Sequence, residues 1–206
     1  MLSRLAVFEN PKLMMEQYAT DSEATAEALW FAYMSGDIAG KIIADFGCGT
    51  GLFGIATLLL GACKVYFVDI DSEALRIAGQ NITTAAPTVR NFEIINSDVA
   101  EFDKKVHTVL QNPPFGTKAK HADRQFLLQA FKIASVVYSF HKIETSDFVR
   151  KIAADNGFRV TNIVPMQLQL KATYEFHKSR MKRVEVGLFR IQKTELLLHH
   201  HRKPFK

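Results

Sequence analysis

Cysteine is almost absent from this 206-residue chain. Cys48 and Cys63 cannot build a disulfide framework, and no C-x-x-C spacing offers a zinc site. Long apolar runs are missing as well. The longest, Ile55–Leu60 with Gly61 and Ala62 behind it, is far shorter than the roughly 20 residues needed to span a bilayer. Nothing near Met1 joins a basic head to a long apolar core and a cleavage site. A reducing, intracellular, cytoplasmic setting without membrane contact is therefore expected. No repeat, low-complexity tract or Pro/Gly-rich linker divides the sequence, which points to one domain over residues 1–206. His199–His201 stand at the C-terminus and do not argue for a native metal site.

What is present is ordinary for a folded chain: 48% hydrophobic and 23% charged residues, which excludes a disordered or fibrous protein. The aromatic content is dominated by 16 phenylalanines against 5 tyrosines and 1 tryptophan. The formal charge of +5 is unevenly placed. Residues 1–170 carry 16 Lys and Arg against 18 Asp and Glu, whereas residues 171–206 carry 10 against 3. The whole basic excess lies in the last 36 residues, where it suits a polyanionic partner.

Short β-branched or aromatic runs alternate with helical patterns, the rhythm of βαβ units around a parallel sheet. Strands are expected at Ile42–Phe46, Val65–Ile70, Phe92–Asn96, Thr108–Gln111 and Ser135–Ser139. Helices are expected between them at about Leu52–Leu60, Ser72–Thr83, Asp123–Ile133 and Thr145–Asn156. The last stretch, with Arg159–Val164, Gln167–Leu170 and Val184–Ile191, reads as strands with no helix between the final two, hence an antiparallel hairpin closing the sheet. A leading segment, Pro11–Met34, reads as helical with an interruption near Thr20–Ser22. Residues 1–35 are expected to form an N-terminal helical or lid segment, and residues 171–206 a basic C-terminal strand and tail.

The first strand runs into Asp45-Phe-Gly-Cys-Gly-Thr-Gly51 and then a helix. Gly47, Gly49 and Gly51 let the backbone turn tightly and approach a ligand without Cβ interference. Asp69, one strand later, stands where a carboxylate can accept both hydroxyls of a ribose, while Asp71-Ser72 suits the cap of the next helix. The G-x-G-x-G spacing after Asp45 differs from the dinucleotide pattern G-x-G-x-x-G and fits a cofactor carrying no phosphate. It resembles motif I of class I S-adenosylmethionine-dependent methyltransferases. That resemblance implies cofactor contacts from Asp45, Gly47, Gly49, Thr50, Gly51, Leu52 and Asp69. It also implies contacts from Asp98 and Val99 after the third strand, although Asp98 also reads as an ordinary turn residue.

At the end of the fourth strand stands Asn112-Pro113-Pro114-Phe115. Methylating a planar amino nitrogen is hard because its lone pair is delocalised into the ring. An Asn side-chain oxygen and a proline carbonyl, both rigidly held, can accept the two N–H hydrogens and aim the nitrogen at a methyl donor. Phe115 can stack on the flat acceptor. The four residues resemble motif IV of amino-methyltransferases.

Further segments narrow the resemblance. Phe8-Glu-Asn-Pro-Lys-Leu-Met-Met-Glu-Gln17-Tyr-Ala-Thr20, Asn112-Pro-Pro-Phe-Gly-Thr-Lys118, Val137-Tyr-Ser-Phe-His141-Lys142 and Tyr174-Glu-Phe-His177-Lys178 are similar to segments of a methyltransferase-like family. That family installs N6-methyladenosine in small-subunit (16S/18S-type) ribosomal RNA. It implies a class I, Rossmann-like fold with a mostly parallel seven-stranded sheet, helices on both faces and an antiparallel C-terminal hairpin. It further implies Gln17 and Thr20 as cofactor contacts, and a small zinc-binding activator protein as heterodimer partner. The family pattern has proline where this chain has Ala19.

The expected RNA contacts are Lys118, Lys120, His141, Lys142, His177, Lys178, Lys182 and Arg183, cations for phosphates and rings for bases. Either histidine also reads as an ordinary strand-end residue. Two other functions share parts of this pattern: a protein glutamine N5-methyltransferase, which uses the same Asn-Pro-Pro, and an inactive RNA-binding or ribosome assembly factor.

Overall fold

In the computed structural model, which describes residues 3, 5–8, 12, 22–114, 122–171 and 181–194, side chains of 168–171 and 181–184 excepted, the βαβ rhythm becomes one mixed sheet. Strands β1 (Ile42–Phe46), β2 (Lys64–Asp69), β3 (Phe92–Asn96), β4 (Thr108–Gln111) and β5 (Val136–Lys142) are parallel. Strands β6 (Phe158–Lys171) and β7 (Met181–Lys193) are antiparallel to each other, and β7 is antiparallel to β5. The order across the sheet is β3-β2-β1-β4-β5-β7-β6. Helices α1 (Ser22–Met34), α2 (Leu52–Leu59) and α3 (Ser72–Ala85) share one buried cluster with one face of the sheet; α4 (Ala122–Ile133) and α5 (Ser146–Asp155) share the other. The expected seven-stranded α/β architecture with its antiparallel end is thus what the chain adopts. Because both faces are covered, β1 reads as a largely apolar run and all four residues of β4 are buried, the polar Thr108 and Gln111 included.

The largest departure from the sequence pattern is at the C-terminal end. The two runs around Pro165, expected as separate strands, are one strand. A proline cannot donate to a ladder, but β6 is the edge of the sheet, so its missing N–H faces away from β7 and costs no pairing. Pro165 sits opposite Gly187, and the irregularity between Val160 and Asn162 absorbs the register change. Strand β5 runs three residues past its expected end, because Phe140, His141 and Lys142 continue to pair with β7. Within the leading segment α1 begins at Ser22, at the expected interruption. Residues 13–21 lie outside the described residues.

One polar network ties the sheet to the turn before β1. The Tyr138 hydroxyl donates to Asp37 Oδ2 at 2.6 Å, and Arg190 Nε donates to the same oxygen at 2.8 Å. Arg190 also donates to Thr161 Oγ1 and Gln192 Oε1, both at 2.9 Å. The Thr108 hydroxyl donates to the Asp37 carbonyl at 2.7 Å. Asp37 is 8% exposed, and burial beside its carboxylate pushes the Tyr138 phenol up.

Candidate active site

The strand order reverses between β1 and β4, since the chain winds outward from β1 to β3 on one side and from β4 to β5 on the other. The carboxyl ends of these two strands form the crevice where open α/β sheets bind ligands. Phe46 and Gln111 are the last paired residues of β1 and β4. Gly47 and Asn112 therefore leave the sheet side by side.

The glycine loop is held from both sides. The N–H groups of Gly47 and Cys48 donate to the Val68 carbonyl at 2.9 and 3.1 Å, and Gly49 N–H donates to Asp69 Oδ2 at 2.8 Å. Gly49 has φ +54°, in the left-handed region, and a Cβ there would meet the Phe8 ring at 2.8 Å. Gly51, at φ +89°, caps α2. Inside α2, a Cβ on Gly54 would meet the Phe67 ring at 2.2 Å, so this helix can lie close on β2 only with glycine here.

Two carboxylates stand behind the loop. Asp45 is 1% exposed; its Oδ2 accepts from the Gly54 N–H at 2.8 Å, and its Oδ1 is buried without a partner. Burial pushes the Asp45 carboxyl up to about 7, against the Gly54 hydrogen bond and assisted by the nearby Asp69. Asp69 accepts Gly49 N–H and Asp71 N–H, one on each oxygen, and burial raises it as well. Each Asp69 oxygen keeps a lone pair for a further donor. Asp71 caps α3 by accepting from Glu73 N–H at 3.1 Å, which leaves Asp69 as the acid at the loop, as the sequence suggested.

Because the folded Asp45 ionises at higher pH than the unfolded chain, it binds a proton that the unfolded state has lost. Its contribution to stability is present below about pH 4 and is lost as pH rises toward about 7. Asp45→Asn is therefore expected to remove a decline of stability between pH 4 and 7, measured by urea unfolding across that range.

The remaining expected site residues divide clearly. Thr50 and Leu52 lie at the end of the loop and the start of α2. Asp98 caps a short 3₁₀ turn, Val99–Glu101, by accepting from Ala100 N–H at 2.9 Å, so its turn role is realised; Val99 is buried. Asn112 and Pro114 are half-buried and Pro113 is buried. His141 does not face an outer surface: it is 3% exposed, set edge-on against Phe189, because the β5 extension pairs it with Gly187. Its expected direct RNA contact is corrected accordingly. Lys142 is half-buried and pairs with Glu144 at 3.5 Å. Gln17, Thr20, Phe115, Lys118, Lys120, His177 and Lys178 lie outside the described residues, as do the side chains of Lys182 and Arg183 on β7.

Sequence reasoning missed Asn81. Its Nδ2 donates to the carbonyls of Ala6 and Thr50 at 2.9 and 3.0 Å, and its Oδ1 accepts from Ala6 N–H at 2.8 Å. One side chain thus fastens the N-terminal segment to the glycine loop. The signal was a polar residue on the buried stripe of α3, between Ala78 and Ile82. Among the described residues no group of three or more His, Cys, Asp or Glu could hold a metal ion, and no helix is long and apolar enough to cross a membrane.

With this geometry in place, known proteins supply the family. Residues 18–136 match the methyltransferase small domain family. The chain belongs to that family. It is 36% identical to the rRNA N(6)-adenosine-methyltransferase METTL5 of Danio rerio, over 94% of this chain and 96% of the relative. It is 34% identical to the Drosophila melanogaster rRNA N(6)-adenosine-methyltransferase Mettl5, over 90% of each. The crystal structure of PH1948 from Pyrococcus horikoshii superposes with a TM-score of 0.87 at 41% identity, covering 93% of this chain and 94% of that one. Magnesium protoporphyrin IX methyltransferase from Synechocystis, solved with S-adenosylmethionine bound, shares the fold at a TM-score of 0.68 and 17% identity, over 84% of this chain and 79% of that one. The chain is a methyltransferase with the class I fold.

Proposed function

We propose that this single-domain enzyme transfers a methyl group from S-adenosylmethionine to adenine N6 in ribosomal RNA, specifically that of the small subunit, in the cytoplasm. The observation that carries the reading is Asn112-Pro113-Pro114 leaving β4 beside the glycine loop of β1, in a chain matched nearly end to end by rRNA adenine-N6 methyltransferases.

The residues present fit the cofactor. Asp45 Oδ1 is a buried acceptor with no partner, suited to an amino group, and it stands directly behind the glycine loop. S-adenosylmethionine, when bound, supplies the activated methyl group. Asp45 would accept from the cofactor's amino group, the loop from Gly47 to Leu52 would line its amino-acid end, and the spare lone pairs of Asp69 would take the ribose hydroxyls. Asp98 and Val99 would hold the adenine end, with Gln17 and Thr20 as further cofactor contacts. Asn112 Oδ1 and the Pro113 carbonyl hold the two hydrogens of the acceptor amine, Pro114 stiffens the turn, and Phe115 stacks on the base.

Phosphates are gripped by Lys118, Lys120, Lys142, His177, Lys178, Lys182 and Arg183. Replacing Lys182 and Arg183 together with alanine is expected to weaken RNA binding and to reduce the slope of log affinity against log salt by about 2. Filter binding across a salt series checks this. The edge strand β3, with Ile94 37% exposed, suits pairing with a small zinc-binding activator protein.

A labelled-cofactor assay tests the function, offering small-subunit RNA, large-subunit RNA and a glutamine-bearing release factor in parallel. Label entering the small-subunit RNA supports the reading. Label in the protein acceptor alone would assign the chain to glutamine methylation.

A further inference from the structure

The helix-covered face of the sheet that carries α4 and α5 is lined by Phe46, Val68, Val109, Val137 and Phe189, all with no exposure. At the carboxyl ends of β4 and β5 that apolar surface is interrupted by three consecutive polar side chains: Gln111 (1% exposed), Ser139 (0%) and His141 (3%). Gln111 and Ser139 are register partners, and Ser139 and His141 are two apart on one strand, so all three lie on the same face. Gln111 Nε2 lies 3.0 Å from Ser139 Oγ, which lies 2.7 Å from His141 Nε2. A Leu, Val and Phe here would match the surrounding core and leave no polar group to desolvate.

The direction of the chain follows from what is left over. Gln111 Oε1 is buried without a partner. As placed, the amide leaves Oε1 and one N–H unmet; turned round, it would leave both N–H groups unmet, the costlier choice because buried orphaned N–H groups are rarer than under-satisfied oxygens. Gln111 therefore donates to Ser139, and the Ser139 hydroxyl is free to donate to His141 Nε2. The ring then carries its proton on Nδ1. Burial, which holds this imidazole down at about 4, keeps it neutral at working pH and so able to accept.

We infer that Gln111, Ser139 and His141 are positioning residues for methyl transfer. They act through the peptide joining Gln111 to Asn112, fixing the strand end from which Asn112 and the Pro113 carbonyl reach the acceptor amine. This inference rests on the proposed role of Asn112. The chain begins one residue before that group and ends against Phe189 in the core, so it anchors the catalytic turn to the rigid part of the sheet. Nothing in it touches the Asp45 or Asp69 carboxylates among the described residues.

Ser139→Ala removes one oxygen at the centre of the chain. Expected is a fall in single-turnover kcat of about tenfold on ribosomal RNA, with the Kd for S-adenosylmethionine within about twofold of wild type. Ser139→Thr, which keeps the hydroxyl, is expected to recover most of the rate. Gln111→Leu combined with Ser139→Ala should be no slower than the slower single variant, since the chain acts as a unit. In ¹⁵N NMR the His141 ring should report Nδ1–H in the wild type and lose that preference in Ser139→Ala. An Nε2–H ring in the wild type overturns the inference, even if Ser139→Ala fails to fold. So does an unchanged kcat in Ser139→Ala while Asn112→Ala is inactive, or losses that multiply in the double variant. A wild type that methylates no RNA, or an active Asn112→Ala, sinks the role of Asn112 and this inference with it.

Discussion

Asn112→Ala is expected to lower methyl transfer by two to three orders of magnitude while S-adenosylmethionine binds within about twofold of its wild-type affinity. Removing one preorganised hydrogen-bond partner of a reacting group costs about 2.7–4 kcal/mol of transition-state stabilisation. Asp45 is tied to the Gly54 N–H of α2, and Asp69 to the Gly49 and Asp71 N–H groups, rather than to Asn112, so these residues should survive the change. Single-turnover kinetics and calorimetric titration of the cofactor separate the two quantities. Loss of cofactor binding equal to the loss of rate would make Asn112 a residue of the cofactor site or of the fold.

Asp37→Ala is expected to destabilise the protein by about 3–5 kcal/mol, because it leaves the half-buried Arg190 guanidinium and the buried Tyr138 hydroxyl without their common acceptor. A loss of that size is a large share of the roughly 5–15 kcal/mol that holds a domain together, and should lower Tm on the order of 10 °C. The side-chain exposures of the pair are only 12% and 11%, so solvent screening does not rescue it. Asp37→Asn retains one acceptor and should lose less. Urea unfolding at neutral pH measures both. A change below about 1 kcal/mol for Asp37→Ala would mean that solvent or Gln192 and Thr161 satisfy Arg190 on their own.

These two sites show where the sequence was readable. The glycine loop and the Asn-Pro-Pro turn lie within short contiguous stretches whose conformational demands are local: glycine for positive φ, proline for a ladder stop. Strands β1, β3 and β4 fall on the expected boundaries for the same reason, as short apolar runs between turn residues. The Asp37 network was not readable, because its members are 101 and 153 residues apart and meet only when β7 inserts between β5 and β6. Pro165 misled for a related reason: whether a proline breaks a strand depends on whether that strand is an edge, and sheet order is a tertiary fact. The burial of His141 was not readable, because only pairing with β7 creates the three-residue extension of β5 that encloses it. Asn81 was available in principle, as a polar residue on an apolar stripe, but nothing local says what it grips.

The central claim is that the turn leaving β4 methylates adenine N6 of small-subunit ribosomal RNA. Its most direct test is mass spectrometry of the nucleosides of purified small-subunit RNA, taken from cells with the gene intact, deleted, and restored as wild type or Asn112→Ala. The account predicts loss of one N6-methyladenosine per small-subunit RNA on deletion, recovered by the wild type and not by Asn112→Ala. An unchanged N6-methyladenosine count after deletion would contradict it.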